Sequence, residues 1–177
     1  IDIAEAEKLP GVYAVVCCKN TPQLRFNSAL RFFEHAIPET EQVFPEVVRH
    51  VGDRVAAVAA VDEETAEAAL KLIKVAYEEL PAVFDVEKAL EAGAPAVQEG
   101  GNKVGEIFTE AGNVEEAFER CERIFEDRYE MPPIHHLAIE THTAIADFDS
   151  RGKLTVWSPN QNTFNTRLLL SRIFKLP

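Results

Sequence analysis

An α+β fold in two parts is what this chain predicts, and three observations lead there. Between Arg54 and Leu80 the apolar pattern changes from strand-like to helix-like and back. The stretch 81–112 then holds prolines, alanines and the Gly100-Gly101 pair, the composition of a surface connector. Beyond it come a capped helix, a hairpin signal and an apolar-rich terminal helix. With 177 residues, 46% hydrophobic and 27% charged, the chain suits one generous domain or two small ones with a real core.

Asp2 to Ala6 starts a short helix, the Pro10-Gly11 turn ends it, and the Val/Tyr-rich run Val12 to Cys18 suits a buried strand. From Lys19 to Glu46 the periodicity is poor and Pro22, Pro38 and Pro45 recur, which predicts a long irregular excursion, functional or tied down by a neighbour. Arg54 to Val61 reads as a strand. Asp62 caps the helix that follows, with Glu63, Glu64 and Glu67 at its positive end and Ala66, Ala69, Leu70 and Ile73 facing inward. Lys74 to Glu79 alternates and stops at Leu80-Pro81, completing a strand–helix–strand module. After the connector, Asn113 and Glu116 form a capping box for a helix Val114 to Cys121, followed by a strand near Ile124 to Met131. His142 to Phe148 and Leu154 to Trp157 flank the turn Asp149 to Gly152, and Phe164 to Phe174 forms the last helix.

A formal net charge of -12 disfavours nucleic acid and anionic membranes, both of which need an excess of Lys and Arg. Cys17, Cys18 and Cys121 form no CxxC pair and leave an odd thiol, which fits a reducing cytoplasm and supports neither a disulfide framework nor a self-contained metal site. No apolar run approaches a membrane span of roughly 20 residues. The chain opens without Met at Ile1 and stops at Pro177, and is expected to be a piece of something longer.

Chemistry concentrates between Pro132 and Gln161. On an extended strand, His136, Glu140 and His142 share one face, where they offer metal ligands or, with spacings of about 6–7 Å, a better-suited hydrogen-bond ladder. Gln161 falls between a strand and a helix, where its amide either projects into a crevice or braces the loop; bracing is favoured on sequence alone, and Asn160 and Asn162 are candidate helix caps. Gly100-Gly101 lacks phosphate-loop spacing and reads as a turn, while Cys17 and Cys18 pack rather than react.

Several of these motifs together resemble one family. IDIAEAEKLPGVYAVV, VGDRVAAVAAVDEETAEAALKLIKVAYEELPAV and DVEKAL are similar to the α/β hammerhead domain of the xanthine dehydrogenase and aldehyde oxidase family. GNVEEAFERCERIFEDRYEMPPIHHLAIETHTAIADF with GKLTVWSPNQNTF resembles the opening of that family's molybdopterin-binding region. The resemblance implies a hammerhead domain at 1–81, a linker at 82–112 and a partial molybdopterin-binding domain at 113–177. It implies hydroxylation with water-derived oxygen at a molybdenum–molybdopterin cofactor, with electrons leaving through 2Fe–2S centres and FAD on partner subunits or domains of an oligomer. Glu140-Thr141-His142 resembles the xanthine dehydrogenase sequence and points to a purine or related heterocycle, with aldehyde or nicotinate hydroxylation as the alternative. Gln161 matches the family's glutamine beside the metal centre, although Asn160 stands where that motif has Thr. The resemblance places no catalytic residue and no metal ligand in this stretch, so the piece alone is expected to be inactive. A noncatalytic interaction module reusing the hammerhead fold is the rival from another class.

Overall fold

The apolar run from Val12 onward becomes β1 (Val12–Cys17), which follows a one-turn helix α1 (Ala4–Glu7). The computed structural model describes residues 1–28 and 38–177. Its remaining elements are β2 (Ala56–Ala60), α2 (Glu63–Leu70), a 3-10 turn at Lys88–Leu90, α3 (Val114–Glu119), β3 (Ile145–Phe148), β4 (Leu154–Trp157) and α4 (Thr163–Phe174). They fall into two compact units, one of residues 1–105 and 163–177, the other of residues 106–162.

In the first unit β1 and β2 pair antiparallel, with Val15 opposite Val58 and Cys17 opposite Ala56, and the register is irregular between Val12 and Ala14. One face of this pair packs on α1 and α2. Ala6, Val15 and Ala69 form the buried centre, at 0%, 3% and 0% exposure, with Ile3, Leu9, Val12, Val58 and Ile73 against it. Alanine at both helix positions carries no bulk or rotamer entropy, so the helices come close to the strands. Leu70, expected on the inward face, is 48% exposed, because the buried stripe runs through Ala69 to Ile73 and leaves the helix end outside.

Asp62 caps α2 as expected: its Oδ1 accepts from the Thr65 N–H at 2.8 Å. Side-chain and then backbone hydrogen bonds from Thr65 lower the Asp62 pKa from its ordinary value. The described part of the excursion after β1 is tied down by side chains. Gln23 Nε2 donates to Cys18 O at 2.7 Å, Arg54 donates to Val43 O and Gln42 O at 2.9 Å each, and Phe26 and Phe44 are buried. Residues 29–37 of that predicted excursion lie outside the described residues. No disulfide joins the cysteines: Cys17 is buried in β1, Cys18 half-buried and Cys121 exposed.

Two expected strands are absent. Lys74 makes only an isolated bridge to Asp2, with N···O distances of 2.8 and 2.9 Å, and residues 75–79 continue without a ladder. Ile124 to Met131 has no strand structure among the described residues, and Ile124, Phe125, Tyr129 and Met131 are exposed. Alternation supplies a candidate strand, but a neighbour has to accept its backbone groups. In the second unit the capping box is seen from one side, Asn113 Oδ1 accepting from Glu116 N at 3.1 Å. The hairpin is shorter than expected at its start, β3 beginning at Ile145 rather than His142. Its register pairs Ile145 with Trp157 and Phe148 with Leu154.

Gly11 joins α1 to β1 at φ +90°, and a Cβ there would lie 2.9 Å from Val61 Cγ1 and 3.2 Å from Thr65 Cγ2. Gly52 also has a positive φ, of +107°, but open space around it. Gly11→Ala is therefore expected to destabilise by about 1–3 kcal/mol and Gly52→Ala by less, measured by urea unfolding. Equal losses would show that crowding against Val61 and Thr65 contributes nothing. The cap makes a separate prediction. Because the folded pKa of Asp62 is depressed, its contribution is present above the unfolded carboxylate range, near pH 3.9, and is lost as pH falls through the folded value. Thermal melts should show Asp62→Ala lowering the melting temperature at pH 7, with the gap from the parent chain shrinking in acid. A gap that stays constant with pH would remove the charge from the explanation.

Candidate functional site

The loop after β4 carries the Gln161 amide, and the hairpin before it sets where that loop starts. Asp149 organises the hairpin turn: its Oδ1 accepts from the N–H groups of Arg151 and Lys153 at 2.9 Å each, and its Oδ2 faces the Arg151 guanidinium at 3.1 Å. The backbone hydrogen bond from Lys153, followed by those from Arg151, holds the Asp149 carboxyl below its ordinary pKa. A fixed turn fixes register, so β4 ends at Trp157 opposite Ile145 and residues 158–162 follow.

Within that loop Asn160 is the brace. Its Nδ2 donates to Ser158 O at 3.3 Å and its Oδ1 accepts from Asn162 N at 3.1 Å. Gln161, for which the sequence favours bracing, is exposed and its side chain has no hydrogen-bond partner among the described residues. Its two amide hydrogens and carbonyl oxygen are free to meet a ligand. That donor and acceptor set fits a polar contact to a pterin-held metal group.

The histidine-rich stretch does not form the expected strand. Residues 132–144 have no strand structure, Leu137 has a positive φ of 55°, and the Leu137 N–H donates to His135 Nδ1 at 3.0 Å. A left-handed residue between His136 and Glu140 breaks the two-residue alternation, so His136, Glu140 and His142 do not share a strand face. Among the described residues no three His, Cys, Asp or Glu side chains gather as a group able to hold a metal ion.

The sequence did not suggest the first unit's open cleft, which has a volume of about 830 Å³. Val83, Phe84, Val97 and Asn102 line it together with the ion pair Arg25–Glu99, whose N···O distance is 2.5 Å. Asn102 closes the surrounding loop, donating to Ala89 O and Pro95 O at 2.8 and 2.9 Å and accepting from Val97 N at 2.8 Å. The legible signal was the Gly100-Gly101 turn, which is formed, with Gly101 N donating to Gln98 O at 2.9 Å. No helix of the described residues is long and apolar enough to cross a membrane.

Comparison with known proteins supplies the context. Residues 1–81 match the family described as aldehyde oxidase and xanthine dehydrogenase, a/b hammerhead domain, and residues 97–177 match the molybdopterin cofactor-binding domain. A probable xanthine dehydrogenase subunit of Bacillus subtilis (strain 168) is 40% identical over 173 residues, 98% of this chain and 22% of that protein. The nicotinate dehydrogenase large molybdopterin subunit of Eubacterium barkeri is 30% identical over 178 residues, all of this chain and 40% of that protein. The crystal structure of the aldehyde oxidoreductase from Desulfovibrio desulfuricans ATCC 27774 superposes with a TM-score of 0.81 over 99% of this chain and 20% of that one; at 23% identity it speaks to fold alone. The chain thus spans well under half the length of these relatives. With a hammerhead domain followed by part of a molybdopterin cofactor-binding domain, it belongs to the xanthine dehydrogenase and aldehyde oxidase family of molybdopterin-binding large subunits.

Proposed function

We propose that this stretch serves a longer polypeptide that hydroxylates purines or related N-heterocycles as a xanthine dehydrogenase-like, molybdenum-dependent oxidoreductase. The observation that carries this reading is the 40% identity, over nearly the whole chain, to a protein named as a probable xanthine dehydrogenase component. Glu140-Thr141-His142 adds to it through the resemblance already described. A nicotinate-type hydroxylase is the second reading, favoured by the 30% identity to a nicotinate dehydrogenase subunit. An aldehyde hydroxylase and a noncatalytic interaction module are the remaining rivals.

When bound, the molybdenum–molybdopterin group supplies the redox chemistry that adds water-derived oxygen to substrate and withdraws electrons. The part assigned to this chain is positional: Gln161 contacts the cofactor with its free amide, on a loop held by Asn160. We place the hammerhead domain at 1–81, a linker at 82–112 and the cofactor-binding portion at 113–177. The absence of any strand, and of any helix beyond the 3-10 turn, between Lys71 and Asn113 supports the linker, although the cofactor-domain match already starts at residue 97. That the Bacillus relative is itself one subunit of several supports assembly with other chains, to which we assign the 2Fe–2S and FAD groups. Free cysteines throughout accord with a cytoplasmic protein.

Three measurements test these assignments. Intact enzyme offered hypoxanthine, xanthine, nicotinate and simple aldehydes should turn over a purine fastest; preference for nicotinate or aldehyde would establish that alternative, and no turnover with bound metal absent would favour the interaction module. Gln161→Ala in the intact enzyme should lower turnover by about tenfold or more, the loss of roughly 1.4 kcal/mol of contact energy, with the melting temperature unchanged. An unaltered rate with lost stability would make Gln161 a structural brace after all. Metal analysis of residues 1–177 alone should find no stoichiometric molybdenum, and tight retention would place the binding groups within this stretch.

A further inference from the structure

The loop 47–53 is built to present one arginine. Asp53 Oδ2 accepts from the backbone N–H groups of Arg49 at 2.6 Å and His50 at 3.3 Å, and the Asp53 N–H donates back to His50 O at 3.2 Å. With its backbone held, Arg49 spreads its guanidinium over two carbonyls. Nη1 donates to Val47 O at 2.9 Å, which orients the side chain, and Nε donates to Val97 O at 2.7 Å, far along the sequence. On the receiving side both backbone groups of Val97 are taken, because its N–H donates to Asn102 Oδ1 at 2.8 Å. That bond and the one from Gly101 N to Gln98 O, at 2.9 Å, make residues 97–102 a closed turn. A second arginine reaches the same turn, Arg25 pairing with Glu99 at 2.5 Å.

These contacts cross a boundary in the sequence. Arg25 and Arg49 lie in the stretch that matches the hammerhead domain, residues 1–81, whereas Val97 and Glu99 are among the first residues of the cofactor-binding match, which begins at 97. All four fall within one compact unit. We infer that Arg25 and Arg49 are a two-point clamp by which the hammerhead domain holds the first turn of the cofactor-binding domain. The proposed linker is then anchored at 97–102 rather than loose over its length. The two anchors differ in strength. The Arg25 and Glu99 side chains are 41% and 74% exposed, so solvent screening leaves that pair little by itself. The Arg49 bond is charge-assisted and comes from a side chain already oriented by Val47, so less ordering is lost in making it. Arg49 is the main anchor. A lysine there keeps the charge but is a single point on a flexible stem, without the planar fork that spans two carbonyls. The clamp is independent of which substrate is hydroxylated and of whether Gln161 meets the cofactor.

Hydrogen exchange at single-amide resolution, on the complete polypeptide in its native assembly, tests it. The reporters are the Val97 and Gly101 amides, whose own bonds stay inside the turn, and the controls are the Ala66 and Leu72 amides, bonded to Asp62 O and Ala69 O at α2. Arg49→Ala should speed the two reporters by about tenfold and leave the controls unchanged. Arg49→Lys should give a smaller rise at the same amides. Arg25→Ala should give roughly threefold or less, and that effect should vanish at about 1 M salt, where the screening length falls to about 3 Å. Parent rates at Val97 and Gly101 in both Arg49 variants would show that the turn holds itself and overturn the clamp. Equal acceleration of Ala66 and Leu72 would make Arg49 a general support of the first unit and overturn it as well.

Discussion

Closure of two small helices over a two-stranded sheet is the constraint on which the first unit depends. Two strands are marginal in water, because their ladder gains little while one apolar face stays wet. Here Val15 is covered from above by Ala6 and Ala69. Larger residues at those two positions would hold α1 and α2 away from the strands and open voids around Val15, Val58 and Ile73. Gly11 belongs to the same constraint, since its left-handed turn brings the chain from α1 into β1 at a point already occupied by Val61 and Thr65.

Nothing comparable holds the second unit. No residue of 106–162 is buried, and apolar side chains such as Phe108, Phe125 and Ile139 face solvent. Its order comes from local polar devices, the Asn113 cap and the Asp149 turn, each reaching over three or four residues. Such devices are worth about 1 kcal/mol and set direction rather than stability. Exposed aromatic and aliphatic groups in this number call for further chain or a partner to cover them. That supports the assignment of this stretch to a larger cofactor-binding body.

The same distinction governs what could be read from the sequence. The Asp62 cap, the Asn113 cap, the turn at Asp149 to Gly152 and the final helix were legible because the interacting groups lie within one turn of chain. Lys74 to Glu79 alternates and Ile124 to Met131 reads as a strand, but a strand is a property of two segments, and beyond the single Asp2–Lys74 bridge neither found a second. His136, Glu140 and His142 failed for a related reason: their common face required an unbroken extended run, and one left-handed residue at Leu137 was enough to undo it. The cleft near Asn102 was invisible, since three loop carbonyl and amide groups converge on one side chain only after folding.

Gln161 was locatable from the strand and helix that flank it, but its freedom was not, because that depends on Asn160 taking the local hydrogen bonds. The division between the two amides bears on mechanism. An exposed side-chain amide without a protein partner keeps its water on folding, so it adds little to stability whatever its identity. Its worth arises when a polar group arrives and displaces that water. A contact made from a mobile loop would lose much of this to ordering the backbone, whereas Asn160 has already restricted residues 158–162 before any ligand binds. The brace and the contact are therefore complementary. If Gln161 contacts the cofactor as proposed, removing the Asn160 bonds should weaken that contact through lost preorganisation, although both bonds stay within the loop itself.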